Sequence, residues 1–404
     1  MPRTAKRLLI VLLAVFVLGV AGLAGFLWFG PVPISDKRML MDFVLGRGIK
    51  APSAAQVAER LHVPAGFRVQ VYSAEVPLAR MMVATPDGDL IVSRTRADEV
   101  VILERDRNAT GHPAGQRVLL PKLNGPHGLA LHEGYLYVGE YDAVGRVKFD
   151  SAKGALAGPY ERIVTGLPFE GNHRTKSLGF GPDGWLYLSM GSSCNVCEEK
   201  DARRATMMRM RADGSGLQTW ATGLRNSVGF DWAPWDGALY ATDNGRDLLG
   251  DDFPPDELNR IEPGHFYGWP YVNAFGTLDP DVGKGHESEI ARTTQPVHGF
   301  RPHNAPLGIH FLRAENRPAG YRRAALVALH GSWNRRQLDG YKVVALHWGE
   351  DGQIAEEDFL TGFLTPEGVI GRPAGVTEDP SGAIYISDDY AGTIYRVTYE
   401  TTPH

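Results

Sequence analysis

The sequence predicts an all-β fold, a six-bladed β-propeller of four-stranded antiparallel blades. One unit recurs along the chain, in which a start of small or apolar residues leads into a turn of the Pro-Asp-Gly type and then an aromatic strand. Asp-Gly supplies the positive φ values of a tight hairpin turn, and the flanking strands alternate apolar with polar or small residues. The 48 glycines, 27 prolines and 10% aromatic residues of this 404-residue chain suit many short strands.

The repeated hairpin can be followed along the whole chain. The clear copies occupy residues 82–93, 128–139, 178–189, 228–242 and 375–387, and a looser copy starts at 306–311 and resumes at 325–330. Further strands are predicted outside the hairpins at 100–103, 146–149, 341–345 and 393–397. Four strands per unit, repeated every roughly 45 to 65 residues, are typical of a β-propeller.

The N-terminal segment predicts a membrane anchor. Residues 8–29 form an uncharged apolar run that follows three basic residues. A helix of about 20 apolar residues can span a bilayer. The preceding basic residues therefore predict residues 1–30 as a cytoplasmic stub and transmembrane helix, with the rest of the chain on the periplasmic side of the inner membrane. A cleaved signal peptide is the alternative, since residues 21–24 (Ala-Gly-Leu-Ala) resemble a cleavage site.

Two further segments complete the predicted organisation. Residues 31–62 are predicted as a linker with one short amphipathic helix near 54–61, and residues 63–404 as the propeller domain. Strand 67–72 precedes the first blade. We expect it to close the ring by joining the sheet of the last blade.

Composition and missing motifs argue against several classes of protein. The formal net charge of −5 and the scattered basic residues give no reason to expect nucleic acid as a partner. The chain lacks the glycine-rich and catalytic motifs of nicotinamide enzymes, ATP enzymes, serine hydrolases and zinc proteases. The two cysteines, Cys194 and Cys197, share one loop, and outside the cytosol a local disulfide is favoured over thiol exchange or zinc binding.

The loops next to the inner strands collect the polar residues. His173 precedes an innermost strand and should face the central channel, either as a general base or as a structural histidine. Residues 243–259 are rich in carboxylates, amides and glycines, which suit Ca²⁺ but also a solvated acidic loop. Arg225, Arg335 and Arg372 belong to three blades and can either clamp a polyanion or form surface ion pairs.

These segments resemble the soluble propeller-type quinoprotein sugar dehydrogenases, the aldose, glucose and sorbosone dehydrogenase group that uses pyrroloquinoline quinone (PQQ). The resemblance covers about residues 63–399 and rests on the order and spacing of short motifs. The motifs are Gly171-Asn-His173, Gly-Leu-Arg225-Asn226, Asn244-Gly-Arg246, Asp256-Glu-Leu-Asn259, Tyr267-Gly-Trp-Pro270, His330-Gly-Ser-Trp-Asn-Arg335 and Gly371-Arg-Pro373. The sorbosone-dehydrogenase-like branch is the most similar, through residues 330–335 and 191–197.

The resemblance implies a role for each matching residue. His173 matches the general base that takes the proton of the sugar C1 hydroxyl while hydride passes to the quinone. Arg225 and Asn226 match residues that contact the quinone oxygens. Gly245 and Arg246 match the pair whose backbone carbonyls bind Ca²⁺, and Asp256 matches an acidic residue near the base. Arg335 and Arg372 match two cations that hold PQQ carboxylates, and His127 matches a pocket position.

The chain also departs from the glucose-type pattern. Asn244, predicted as a catalytic-pocket residue, stands where those members have glutamine. Ala374 stands where they have a second cation after Arg372, and Arg335 replaces a lysine. The substrate pocket is therefore expected to differ from that of the glucose-type enzymes.

The predicted function is oxidation of an aldose or sugar aldehyde with PQQ and Ca²⁺. Electrons would pass to a membrane quinone or cytochrome. One alternative is a Ca²⁺-dependent lactonase on the same fold, with Glu, Asn and Asp side chains as ligands in the channel. The other is a non-enzymatic propeller whose loops bind a partner or a glycan.

Overall fold

The structure is a computed structural model that describes residues 47–399, together with residues 7, 13–15, 17–19, 22, 25, 41–42 and 45. The predicted anchor over residues 8–29 lies largely outside the described residues. Within the described part of the chain, no helix combines the length and the apolar character needed to cross a bilayer.

Six four-stranded antiparallel sheets confirm the predicted six-bladed propeller. In blades 1 to 5 the strands follow chain order from the axis outwards, and the first strands of all six blades contact one another around the central channel. The hairpins predicted from the Asp-Gly turns are thus the two inner strands of each blade.

Strand β1 (Phe67–Ser73) precedes the first blade. Blade 1 contains β2 (Met82–Ala84), β3 (Leu90–Arg94), β4 (Glu99–Glu104) and β5 (Gly115–Leu120). Blade 2 contains β6 (Leu129–His132), β7 (Tyr135–Gly139), β8 (Ala143–Asp150) and β10 (Glu161–Thr165), with the short β9 (Ala155–Leu156) also paired to β8. Blade 3 contains β11 (Lys176–Phe180), β12 (Leu186–Met190), β13 (Thr206–Met210) and β14 (Gln218–Thr222).

Blade 4 contains β15 (Phe230–Trp232), β16 (Leu239–Asp243), β17 (Asp256–Arg260) and β20 (His298–Phe300). Between its last two strands lie a small hairpin and helix: β18 (Val272–Asn273), β19 (Thr277–Leu278) and α2 (Ser288–Arg292). Blade 5 contains β21 (Pro306–Phe311), β22 (Ala324–Leu329), β23 (Lys342–Trp348) and β24 (Ile354–Leu360). A second small hairpin follows, β25 (Leu364–Thr365) and β26 (Gly368–Val369), before blade 6 with β27 (Pro373–Glu378), β28 (Ile384–Asp388) and β29 (Thr393–Tyr399).

The ring closes as predicted. Strand β1 pairs antiparallel with β29, with Phe67 opposite Tyr399 and Val71 opposite Tyr395, and so becomes the outermost strand of blade 6. A sheet that contains both ends of the propeller cannot separate without breaking a ladder of hydrogen bonds. This is how the fold avoids an open edge in the ring.

The predicted helix near 54–61 is confirmed as α1 (Ala54–Arg60). It begins with a capping box, in which Gln56 N donates to the Ser53 hydroxyl and Ser53 N donates to the Gln56 side chain at 2.9 Å. Val57 and Leu61 are buried in the same apolar cluster as Phe67. The linker is therefore fastened where blades 5 and 6 meet.

Glycines let neighbouring inner strands approach at backbone distance. A Cβ on Gly128 would lie 2.4 Å from Leu178 N, and one on Gly229 would lie 2.1 Å from Leu307 O. Only glycine fits such contacts. Further along the inner strands an apolar cluster joins four blades: Val228, Leu307 and Ala374, with Met81 packed against them.

Candidate active site

The predicted site residues lie at one end of the propeller, which we call the loop face. The loops before the first strand of a blade and those after its second strand both emerge there, because these two strands are antiparallel. Residues that precede first strands are His127, His173, Arg225, Asn226 and Arg372, and residues that follow second strands are Asn244, Gly245, Arg246 and Arg335. Asp256 begins β17 at the same end.

His173 is held as a neutral imidazole. Its Nδ1 lies 3.0 Å from the carbonyl oxygen of Ser192 and 2.8 Å from its hydroxyl. Burial, reinforced by the positive charge of Arg225, lowers the pKa of His173 to about 3. A proton on Nδ1 that is donated to the Ser192 carbonyl leaves Nε2 as the acceptor nitrogen. The ring is therefore neutral and oriented at pH 7, as a general base requires.

The loop that carries His173 is held by two buried cations that sequence analysis missed. Arg204 Nη2 donates to the carbonyls of Glu170 and Asn172, each at 2.8 Å. Lys176 Nζ donates to the carbonyl of Arg174 at 2.7 Å, and burial lowers the pKa of this lysine to about 7. Cations that bind main-chain carbonyls leave no motif in a sequence. The loop carbonyls thus turn inward toward these cations.

Arg225 is buried, and most of its donors bind protein atoms. Nε and Nη2 donate to the carbonyl and side-chain oxygens of Asn195 at 3.0 and 2.8 Å. Nη1 donates to the carbonyl of Asn244 at 3.1 Å, and Nη2 also donates to Asp247 at 3.0 Å. These contacts use four of the five guanidinium N–H groups. Arg225 is consequently fixed in orientation with a single N–H left for a ligand.

The disulfide predicted between Cys194 and Cys197 is confirmed. It closes the loop that presents Asn195, whose side-chain amide donates to the Asp247 carbonyl at 3.0 Å and whose own carbonyl also accepts from Trp269 Nε1 at 3.4 Å. Asn195 was missed as a site residue because its acceptor role depends on the fold. The loop closed by the disulfide therefore supplies, through Asn195, hydrogen-bond acceptors for Arg225.

Asp256 organises the segment predicted to bind Ca²⁺. Its two carboxylate oxygens accept from Gly245 N at 2.8 Å and from Ala305 N at 2.9 Å, and burial raises its pKa to about 7. The guanidinium of Arg246 turns away to bind Asp279 and Asp281. Asp256 thereby fixes the peptide that precedes the two predicted carbonyl ligands.

Asn244 contacts the neighbouring loop through its amide nitrogen, which donates to the Asn226 carbonyl at 3.1 Å. Its Oδ1 is buried and has no hydrogen-bond partner among the described residues. His127 is likewise buried with an unpartnered Nε2 within the described chain, and burial lowers its pKa to about 3. Both are buried neutral polar groups whose hydrogen-bonding capacity is not fully used within the described chain.

Arg372 lies in a second cluster of the loop face. Its Nε donates to the His330 carbonyl at 3.1 Å and its Nη2 to the Gly331 carbonyl at 2.9 Å. The ring of His330 lies 2.8 Å, at Nε2, from Asp389, which also accepts from Arg80 at 2.6 Å. Asp389 and Arg80 were missed because they belong to opposite ends of the propeller sequence.

Arg335 is buried and binds main-chain carbonyls of neighbouring loops. It donates to the carbonyls of Asp251 and, at 3.1 Å, Pro302. The link to Arg225 runs through the preceding residue, since Asn334 donates at 3.2 Å to Asp247, the carboxylate that also binds Arg225. The three predicted arginines therefore share the loop face, where each is buried and binds a different set of protein acceptors.

A protein-family model described as glucose/sorbosone dehydrogenase matches residues 79–396, which span the propeller from its first to its last blade. The chain belongs to the glucose/sorbosone dehydrogenase family. Family membership, with the relatives described next, supports oxidation of a sugar by an oxidoreductase.

Relatives of this glucose/sorbosone dehydrogenase family member include proteins with and without a described activity. An uncharacterized protein of Borreliella burgdorferi is 29% identical over 364 residues, which cover 86% of this chain and 93% of that protein. A pyrroloquinoline quinone-dependent pyranose dehydrogenase of Coprinopsis cinerea is 23% identical over 434 residues, covering 88% of this chain. The matched part spans only 57% of the Coprinopsis enzyme.

Solved structures share the fold. The holo form of the PQQ domain of the Coprinopsis cinerea pyranose dehydrogenase aligns with a TM-score of 0.72 and 21% identity, over 87% of this chain and 100% of that domain. A calcium structure of a Trichoderma reesei carbohydrate-active enzyme of family AA12 also aligns with a TM-score of 0.72, at 22% identity, over 88% of this chain and 99% of that one.

The residues of this family member fit a tricarboxylate quinone and a divalent cation. The carbonyl oxygens of Gly245 and Arg246 accept no hydrogen bond from the described residues, and Asn244 Oδ1 is a buried acceptor without a partner. Nη1 of Arg372 likewise has no acceptor in the described part of the chain. The loop face therefore contains both unpaired oxygen atoms that suit a hard cation and unpaired guanidinium donors that suit a carboxylate.

Proposed function

We propose that this protein oxidises an aldose or sugar aldehyde at C1, to a lactone or acid, with PQQ and Ca²⁺ as cofactors. One observation carries the proposal: His173 and Asn226, from loops of two blades, meet over Gly191. A Cβ on Gly191 would lie 2.5 Å from His173 Cβ and 2.9 Å from Asn226 Oδ1. The predicted base and a predicted quinone contact thus share one small space at the mouth of the channel.

The cofactors would be held by residues of the loop face. Arg225, Asn226 and Arg372 would bind the quinone and its carboxylates, and the carbonyls of Gly245 and Arg246 would bind Ca²⁺. The calcium structure of the Trichoderma reesei relative supports the choice of cation. When bound, PQQ beside Ca²⁺ supplies a hydride acceptor polarised by a Lewis acid.

His173 would accept the proton of the C1 hydroxyl at Nε2 while the C1 hydrogen leaves with its electron pair. The bond from Nδ1 to Ser192 sets the tautomer and aims Nε2. Burial, with a smaller contribution from the charge of Arg225, lowers the pKa of His173 and keeps the ring unprotonated before a sugar binds. Asp256 would act indirectly, because it holds Gly245 and hence the carbonyls that face the cation.

The proposal also covers the substrate, the electron acceptor and the compartment. The sugar is the substrate, and a membrane quinone or a cytochrome would accept the electrons. Residues 1–30 would anchor the chain, or be cleaved as a signal peptide, with the propeller on the periplasmic side of the inner membrane. A tightly bound redox cofactor suits a compartment without a soluble nicotinamide pool.

The hydrolase alternative receives less support. A lactonase would gather carboxylate side chains around a cation in the channel. Among the described residues, a single group of three His, Cys, Asp or Glu ligand atoms comes within 4.8 Å of one another: Cys194, Cys197 and Glu199. Two of these three are joined in the disulfide.

The test uses dialysed protein supplied with PQQ and Ca²⁺. We expect aldoses to reduce an electron-accepting dye, and His173→Ala to abolish that reduction while PQQ still binds. His265→Ala, at an exposed histidine, is the control and should leave turnover unchanged. Hydrolysis of lactones without dye reduction would replace the proposal with the hydrolase, and full turnover by His173→Ala would remove the histidine from its role.

A further inference from the structure

The arginines of the loop face differ in how many donors remain for a ligand. Arg225 gives four of its five N–H groups to protein acceptors. Arg372 uses Nε and Nη2 on main-chain carbonyls. A guanidinium binds a carboxylate through two parallel N–H groups, so an arginine with unused donors is better suited to that task.

Arg80 has more unused donors than either. It lies just before β2 in blade 1, and only its Nη1 donates to a protein acceptor, Asp389 at 2.6 Å. The Nε2 atom of His330 lies 3.4 Å from Nη1 but itself donates to Asp389. Its Nε and Nη2 have no acceptor among the described residues, and its side chain is 21% exposed. Nη1 is thus held by Asp389, whereas Nε and Nη2 are available to a ligand.

Arg80 and Arg372 flank the same residue. Arg80 contacts the ring of His330, and Arg372 contacts its main-chain carbonyl. The two guanidinium groups come from blades 1 and 6, which are neighbours in the closed ring. They therefore present donors side by side on one edge of the loop face.

The acidic residues beneath this pair leave those donors unused. Asp389 takes one N–H of Arg80 and contacts His330. Asp388 is engaged elsewhere, because it accepts from the main-chain N–H groups of Arg372, Tyr390 and Ala391. Asp389 thus orients Arg80 without occupying its fork.

We propose that Arg80 is a carboxylate-binding residue of the cofactor site and acts together with Arg372. The inference rests on the proposed function and deepens it by assigning one carboxylate of PQQ to a cation in the first blade. The backbone supports the placement, since a Cβ on Gly375 would lie 2.6 Å from the Arg80 carbonyl. Arg80 thereby stands beside the strand in which Ala374 supplies no cation.

The experiment measures binding of PQQ through quenching of tryptophan fluorescence in Ca²⁺ buffer. We expect Arg80→Gln to weaken PQQ binding about tenfold to a hundredfold, the loss typical of a charged hydrogen-bonded contact. The PQQ affinity of Arg80→Lys should lie between those of the wild type and Arg80→Gln, because lysine keeps the charge but cannot donate two parallel N–H groups. Arg105→Gln is the matched control, since Arg105 is a blade 1 arginine paired with Asp87 and should leave binding unchanged.

A second probe separates ligand contact from a structural effect. The trimethyl ester of PQQ lacks charged carboxylates, so its binding should be weak in the wild type and little changed by Arg80→Gln. If Arg80→Gln unfolds, the double variant Arg80→Gln with Asp389→Asn removes the ion pair as a unit and takes its place. Wild-type affinity for PQQ in a folded variant that lacks Arg80 would overturn the inference and leave the proposed function intact. Failure of the wild type to bind PQQ would instead overturn the proposed function.

Discussion

Asn195 and Arg225 are joined by a pair of parallel hydrogen bonds, from Nε to the main-chain carbonyl at 3.0 Å and from Nη2 to the side-chain oxygen at 2.8 Å. This is the geometry in which arginine recognises a carboxylate, here provided by one asparagine. Because the Cys194–Cys197 disulfide closes the loop around Asn195, the orientation of Arg225 depends on a covalently closed loop.

Asn195→Ala should therefore weaken cofactor binding without unfolding the propeller. The change removes one of the two acceptors of Arg225 Nη2 and the donor to the Asp247 carbonyl, and Arg225 gains rotational freedom. We expect PQQ affinity to fall about tenfold, measured by fluorescence titration, with a small change in melting temperature. Asn316→Ala, at an exposed amide bound to Ser381, is the control. Equal affinities of both variants would contradict the role of Asn195.

Gly191→Ala should disturb the base more than the fold. The added methyl would lie 2.5 Å from His173 Cβ and 2.9 Å from Asn226 Oδ1, so both side chains would have to move. We expect kcat for dye reduction to fall at least about tenfold, since small misplacements of a catalytic group are costly. Gly320→Ala is the control, because a Cβ there meets nothing within 4 Å. Unchanged turnover by Gly191→Ala would show that the base is not confined at this point.

The architecture could be predicted because its signals are local. Asp-Gly turns and alternating strands lie within a dozen residues of each other, and their repetition predicted the blades and the pairing of β1 with β29. The small hairpins β18–β19 and β25–β26 were not foreseen. Each of their strands has two residues, too few for a periodic pattern.

The site could be predicted only where a motif carried it. The resemblance pointed to His173, Arg225 and Arg372, whereas Arg80 and Asp389 form an ion pair across 309 positions of sequence. No spacing rule connects residues that meet only when a ring of six blades closes. The same holds for Arg204, whose partners are main-chain carbonyls and so carry no side-chain signature.

Lys176 should make stability depend on pH. Burial lowers its pKa to about 7, whereas the pKa of lysine in an unfolded chain is about 10.4. Between these values the unfolded state binds more protons, so the free energy of unfolding rises with pH. Lys176→Met removes this contribution. In urea unfolding, the free energy of unfolding of the wild type should rise by about 2 kcal/mol more than that of the variant between pH 7 and pH 9.

The control for this titration is Lys153→Met. Lys153 is 78% exposed and pairs with Asp150 at the surface, so its removal should shift the free energy of unfolding by a similar small amount at both pH values. If the wild type and Lys176→Met show the same pH dependence, Lys176 keeps its proton in the folded state and the carbonyl acceptors outweigh burial.

Phe67→Ala should weaken the closure of the ring. Phe67 begins β1 and its ring lies 5.1 Å from those of Tyr321 and Phe359 and 5.3 Å from that of Tyr399. The residue therefore joins blade 5 to the β1–β29 pair of blade 6. Removing a buried phenylalanine costs about 3–5 kcal/mol, which urea unfolding would detect.

The matched change is Phe275→Ala, because Phe275 is 58% exposed and lies outside the blade cores. It should alter the free energy of unfolding by less than about 0.5 kcal/mol. Phe67→Leu should recover much of the loss, since it refills the site without the aromatic contacts. A cost for Phe67→Ala as small as that for Phe275→Ala would mean that the ladder of hydrogen bonds between β1 and β29 closes the ring by itself. In that case the aromatic cluster would contribute packing elsewhere in blade 5 rather than the closure.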